Sequence, residues 1–157
     1  MKNIFVLSAL GFSCGLPYML VFSTLSAWLR DAGAALTVIG FISWAALTYS
    51  LKFLWSPFVD RIKMPLNQVV GQRRSWILMM QLLILILIMM MSQFDPISSL
   101  NFIVITAVLI AFFGSLQDIA VDAYRIELVS LDEQGNLAAS YQFGYRLSIL
   151  VATSLAL

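Results

Sequence analysis

Histidine is absent from this chain and cysteine occurs once, at Cys14. A Cys/His metal site, an internal disulfide and Ser/His/Asp catalysis are excluded together, because each needs residues the sequence does not supply. Charge is scarce as well: Asp, Glu, Lys and Arg make up 11% of the residues, against 61% hydrophobic ones. No glycine-rich phosphate loop occurs, and neither basic loop carries the interleaved aromatics of a nucleic-acid surface. Catalytic residues, metal ligands, cofactors and a nucleic-acid partner are therefore not expected, and the chain does not read as an enzyme. So apolar a composition also excludes an ordinary soluble domain and leaves the lipid bilayer as the medium.

A bilayer-spanning helix needs about 20 largely apolar residues, and such runs lie at 4–29, 37–59, 75–94 and 101–128. A fifth begins near 137 and runs to 157, where the sequence stops. The expectation is an all-α membrane bundle with about four complete transmembrane helices and a fifth that is truncated. A signal peptide is the competing reading of the first run, since Lys2 precedes it and Leu25-Ser26-Ala27 resembles a cleavage site. At about 26 uncharged residues, roughly 39 Å of helix, the run exceeds a signal-peptide core and favours a retained helix. Within it, Gly11-x-x-x-Gly15 with Ser8 one turn earlier offers a close-packing face, and Pro17 is expected to kink it. Met89-Met90-Met91 reads as packing or lipid-facing filler. Lys2, Arg61, Lys63, Arg73, Arg74 and Arg125 fall on one side of these spans and Arg30 on the other, so the positive-inside rule places the N-terminus in the cytoplasm.

Ionisable residues inside a membrane-length segment are costly and mark function by default. The fourth run carries Asp118, Asp122 and Arg125 at i, i+4 and i+7, one face of a helix that Ala111 and Gly114 continue. Counted from the cytoplasmic helix ends, Lys52, Asp118, Asp122 and Arg146 lie roughly 9–15 Å deep at 1.5 Å of rise per residue. Two cations and two anions in one layer cancel. They are expected to meet across helices 2, 4 and 5, with Tyr49, Gln117 and Tyr145 nearby, because an unpaired charge there would cost several kcal/mol. Such a cluster suits proton or substrate coupling; a static tie between helices is the simpler alternative.

The loop between the second and third runs reads WSPFVDRIKMPLNQVVGQRRSW. By spacing it is a basic cytoplasmic loop that sets topology. It would gate only if Asp60 and the arginines bridged neighbouring helix ends in one state and released them in another.

An acidic-basic pair closing helix 2, followed by Gly and an Arg pair opening helix 3, resembles the loop signature of the major facilitator superfamily. GFSCGLPYML, KFLWSPFVDR, GQRRSW, SLQDIAVDAY and GYRLSILV, in that order along the chain, are similar to the AmpG-type muropeptide permeases of Gram-negative bacteria. The eukaryotic acetyl-CoA transporters share part of this pattern. The resemblance implies a multi-pass inner-membrane permease that imports anhydro-muropeptides with protons for peptidoglycan recycling. By position it implies substrate binding or proton coupling for Gln117, Asp118 and Asp122, to which the charge count adds Arg146 and Lys52, and control of access for Asp60, Arg61, Gly71, Arg73 and Arg74. Ser56 stands where the superfamily loop usually has Gly, Gln72 replaces a frequent Arg, and the Arg61–Gly71 segment is longer, as in the AmpG-like branch.

Such permeases have two six-helix halves, each built from three-helix repeats, with substrate held between halves. The expected bundle is one triplet, a fourth helix and most of a fifth. It is thus the N-terminal portion of a permease domain, a truncated paralogue, or a piece that completes its cavity with a second polypeptide or by self-association. A non-transporting membrane protein or assembly subunit with purely structural charges is the alternative function, and a small dimeric exporter is disfavoured by the unfinished fifth helix.

Overall fold

The structure is a computed structural model and describes residues 2–129 and 133–155. Ala156 and Leu157, the end of the expected fifth helix, lie outside the described residues.

The first span combines α1 (Lys2–Met19), a π-helical turn (Leu20–Thr24) and α2 (Leu25–Asp31). Proline has no N–H to continue the hydrogen-bond ladder, and the turn that follows Pro17 takes up the disturbance as a widened register. The segment Asn3–Asp31 remains one continuous span. It stops at Gly33, whose φ of +85° costs glycine little. Gly33 N–H bonds the Arg30 carbonyl at 3.0 Å and Ala34 N–H the Leu29 carbonyl at 2.9 Å, a Schellman stop.

The second span departs from the uninterrupted helix expected over 37–59. It is divided into α3 (Leu36–Ser43), α4 (Ala46–Ser50) and α5 (Lys52–Arg61), with a 53° bend at Leu51. Local hydrogen bonding explains the break. Trp44, Ala45, Leu47 and Thr48 bond carbonyls three residues back, and the Thr48 hydroxyl also claims the Ala45 carbonyl at 2.6 Å. Such back-bonding loosens and bends a helix. Pro57, inside α5, removes a further ladder bond just below.

A short turn, α6 (Asn67–Val70), leads to α7 (Gln72–Met91), which opens on Gly71 at φ +88°. The Ile62 carbonyl is held there by Gln72 Nε2 at 2.5 Å and Trp76 Nε1 at 3.1 Å, fastening the loop to the start of the helix. In the next loop, Ser98 N–H and Ile97 N–H donate to Asp95 Oδ1 at 2.8 and 3.0 Å, and these bonds hold the carboxyl below the usual carboxylate range. Their contribution is present above the unfolded-state pKa and is lost as pH falls through the lower folded value. The protection of the Ile97 and Ser98 amides against exchange, relative to their intrinsic rates at each pH, is expected to fall over that acid window.

Helix α8 (Leu100–Leu128) is the hub and packs against α1, α4, α5, α7 and α9 (Gln134–Leu155). Ile103, Ala107, Ile110 and Ala111, Gly114, Val121 repeat at helical spacing and are buried. Trp76, Ile77 and Met80 of α7 meet Leu116, Ile119 and Ala120 of α8 in one core, and Ile84 joins Ile103, Ala107 and Ile110 in another. Large apolar side chains such as Phe5, Phe41, Leu82, Ile105 and Leu150 face outward, as a lipid-exposed surface requires. The first span, α7 and α8 are each long and apolar enough to cross a membrane, and the bent pair makes a further one. Helix α9 is not in that set among the described residues.

Small residues let α1 and α9 run together along most of their length. A Cβ on Gly11 would overlap the Tyr141 carbonyl, one on Gly144 the Ser8 carbonyl, and one on Gly15 the Ser148 hydroxyl. Ser8 Oγ donates to the Ser140 carbonyl at 3.0 Å. The glycine pair in the first span thus does pack closely, against a small-residue stripe at 140, 144, 148 and 152 of α9. Gly144→Val is expected to cost about 1–3 kcal/mol through overpacking, read as a lowered unfolding midpoint in detergent titrations; an unchanged midpoint would mean the two helices separate freely.

Candidate functional site

The bend at Leu51 makes Lys52 the first residue of α5 and turns it toward α8. Lys52 Nζ lies 3.1 Å from Asp118 Oδ2 and 3.4 Å from Asp122 Oδ2. The other oxygen of each carboxylate has its own partner. Tyr141 Oη donates to Asp118 Oδ1 at 2.5 Å, and Arg125 Nη2 lies 3.4 Å from Asp122 Oδ1. The Arg125 guanidinium also sits 5.8 Å from the centre of the Tyr141 ring, within cation–π range. Helices α5, α8 and α9 therefore converge on a neutral network of two cations, two carboxylates and a phenol.

Arg146 was expected in this network and is not there. Helix α9 turns Leu137, Tyr141, Gly144, Ser148 and Ala152 inward, whereas position 146, about 200° around the helix from 144, faces outward and is exposed. Arg125 supplies the second cation instead. Tyr141 was missed altogether; its place on the face of α9 three residues before Gly144 was the available signal.

Gln117 is placed away from the network as well. One residue step, about 100°, separates it from Asp118 on α8. Its side chain is buried toward α1 and α7, where Nε2 donates to Ser13 Oγ at 3.2 Å and to Cys14 Sγ at 3.5 Å. Ser13 Oγ accepts a second bond from Gln81 Nε2 at 2.7 Å, so three helices are tied through one hydroxyl. Tyr49, Tyr18 and Tyr145 form an aromatic layer beside the network, with Tyr18 edge-on to Tyr49 at 5.3 Å between centroids. Gly114 leaves the space that the Tyr49 hydroxyl fills.

The loop residues form a second network. Arg73 Nη1 meets Asp60 Oδ1 at 2.5 Å and Arg73 Nε meets Glu127 Oε1 at 2.9 Å, joining the ends of α5 and α8 through the start of α7. Glu127 was not anticipated, although it closes the run that carries Asp118 and Asp122. Arg74 donates to Tyr124 Oη at 3.2 Å and stacks 5.5 Å from that ring. Arg61 is exposed and makes no ion pair among the described residues. Gly71 contributes through its backbone, whose φ of +88° opens α7.

A groove of about 430 Å³ between α5 and α8 joins the two networks, with Lys52 and Asp122 toward one end, Asp60, Arg73 and Glu127 toward the other, and Ser56, Phe53 and Ile126 between. Side chains of Lys52 and Asp122 are 42% and 37% exposed within membrane-length spans, the first of them the bent pair. Groups so charged do not face hydrocarbon, so this surface borders water or protein.

The same chain matches a family sequence model described as acetyl-coenzyme A transporter 1 over residues 3–156. The chain belongs to that transporter family. Its relatives include the anhydromuropeptide permease of Escherichia coli K12, 41% identical over 152 residues that cover 97% of this chain and 30% of the relative. The Rickettsia felis protein named AmpG 4 is 37% identical over 155 residues, covering 99% of this chain and 37% of its own length. The resemblance in the sequence blocks is thus shown across the whole chain, and the fold is a partial bundle of the major facilitator type. The chain spans about a third of the length of these relatives. Family membership identifies a transporter-type membrane protein and not an enzyme.

Proposed function

We propose that the chain forms the N-terminal part of a bacterial inner-membrane permease that imports anhydro-muropeptides together with protons. The observation that carries this is the neutral Lys52–Asp118–Asp122–Arg125 network opening onto a groove within membrane-length helices. A static tie would be best buried and sealed, since water screens exposed pairs to little value. The E. coli relative's name supports the substrate class, which extends here to the groove of this chain. Lys52, Asp118 and Asp122 serve coupling, whereas Gln117 holds α8 against α1 and α7, and Arg146 lies outside the mechanism. Asp60, Arg73 and Glu127 act as a clasp that closes the groove at the cytoplasmic side, and the distribution of Lys and Arg supports an N-terminus on that same side. The groove has one wall; the facing wall comes from further polypeptide, as two-halved carriers need.

Asp118→Asn is expected to reduce uptake by two orders of magnitude or more, while membrane insertion is retained. Uptake of labelled anhydro-muropeptide by cells lacking their own permease reads the effect, with the inserted protein quantified in the same cells. Full uptake by the variant would reduce the network to a structural tie.

A further inference from the structure

The two carboxylates of the network are not equivalent. Asp118 has short contacts on both oxygens, to Tyr141 at 2.5 Å and Lys52 at 3.1 Å; its side chain is 18% exposed and lies behind the groove lining. Asp122 lines the groove, and both of its cation contacts are long, at 3.4 Å. The charged and titratable groups around Asp122 are Cys14 from α1, Lys52 and Asp60 from α5, Arg73 from α7, Asp118, Arg125 and Glu127 on α8 itself, and Tyr141 from α9. Asp122 is the member of the carboxylate pair that both lines the groove and meets two cations.

We infer that Asp122 exchanges the proton with the groove and that its protonation frees Lys52 and Arg125 to receive an anionic group of the ligand, in practice a carboxylate. A proton from groove water goes onto Asp122 Oδ, and Lys52 turns wholly to Asp118, which stays ionised under the Tyr141 hydroxyl. The network then carries a single positive charge beside the groove. A ligand carboxylate entering there restores neutrality, so proton and anion each favour the binding of the other, as linkage requires. Loss of either one leaves an uncompensated charge in a membrane-length segment, which disfavours the half-loaded states. The inference takes its ligand from the permease reading above, while the assignment of the titrating carboxyl stands without it.

The test uses the full chain in lipid nanodiscs, as wild type, Asp122→Asn and Asp118→Asn. Infrared difference spectra on acidification are expected to show a protonated-carboxyl band in wild type and in Asp118→Asn that is missing in Asp122→Asn. A band that persists in Asp122→Asn, or is missing from wild type, overturns the assignment. The second readout is binding of labelled anhydro-muropeptide across pH, compared with the same compound whose carboxylates are amidated. Wild-type apparent Kd is expected to rise about tenfold per pH unit where binding of one ligand takes up one proton. Asp122→Asn, which mimics the protonated form, binds with a flat profile, and the amidated compound binds weakly at every pH. A flat wild-type profile, or equal binding of the amidated compound, overturns the coupling of proton to anion. If wild type binds neither compound at any pH, the permease reading falls together with the anion step, and the infrared band alone decides the carboxyl assignment.

Discussion

Lys52→Met is expected to destabilise the bundle by about 1–3 kcal/mol, a range between that of a screened surface pair and a broken buried one. Without Lys52, Asp118 keeps only the Tyr141 hydroxyl and Asp122 keeps only Arg125, so two carboxylates one helical turn apart share a single cation. The cost arises from the stranded carboxylates more than from the lost lysine. Lys52→Met combined with Asp118→Asn should therefore recover at least half of the lost stability, because the charge balance at the network returns to neutral. Unfolding titrations in detergent of the wild type, both single variants and the double variant form the cycle that measures this coupling. Additive losses would show that Lys52 and Asp118 do not act as a pair.

The second large effect concerns the proposed clasp. Arg73→Gln removes both ion pairs and leaves Asp60 and Glu127 without the cation between them. Two pairs at the membrane edge are worth about 1–2 kcal/mol together, enough to change the population of an open state about five- to thirtyfold. Arg73→Lys should fall between wild type and Arg73→Gln, because an ammonium cannot present the two-sided fork that reaches Asp60 through Nη1 and Glu127 through Nε. Ser56→Cys in a Cys14→Ser background reports on the groove, which Ser56 lines. Its labelling by a membrane-impermeant thiol reagent from the cytoplasmic side should accelerate about tenfold when Arg73→Gln is added. Unchanged labelling would make the Asp60–Arg73–Glu127 bridge a fixed strap.

How much of this was legible in the residues depends on the kind of signal each left. Long apolar runs fixed α7 and α8 to within a few residues, because hydrocarbon forces every backbone group into one helix. The i, i+4, i+7 spacing on α8 placed Asp118, Asp122 and Arg125 together, and the expectation that Lys52 would join them held because a lysine at that depth needs a carboxylate. The bend at Leu51 was hidden. Its cause lies in three-residue hydrogen bonds and the Thr48 hydroxyl, which hydropathy does not register. Arg146 was expected in the network because depth along a helix was used without rotation about it; the structure turns Leu137, Tyr141, Gly144 and Ser148 inward and position 146 away from them. Gln117 shows the same lesson on α8, where a single residue step separates the groove from the α1–α7 side. Tyr141 and Glu127 left only weak traces, a phenol three residues before a packing glycine and an acid at a helix end.

The most direct measurement is uptake of labelled anhydro-muropeptide by cells without their own permease, expressing the chain alone or fused ahead of the unmatched remainder of the E. coli relative. Uncoupler-sensitive uptake in the fused form, lost on Asp118→Asn with insertion intact, is the result expected if the chain supplies the proton-coupled wall of the carrier. Full insertion without uptake in either form, or uptake that ignores both the uncoupler and Asp118→Asn, would contradict it.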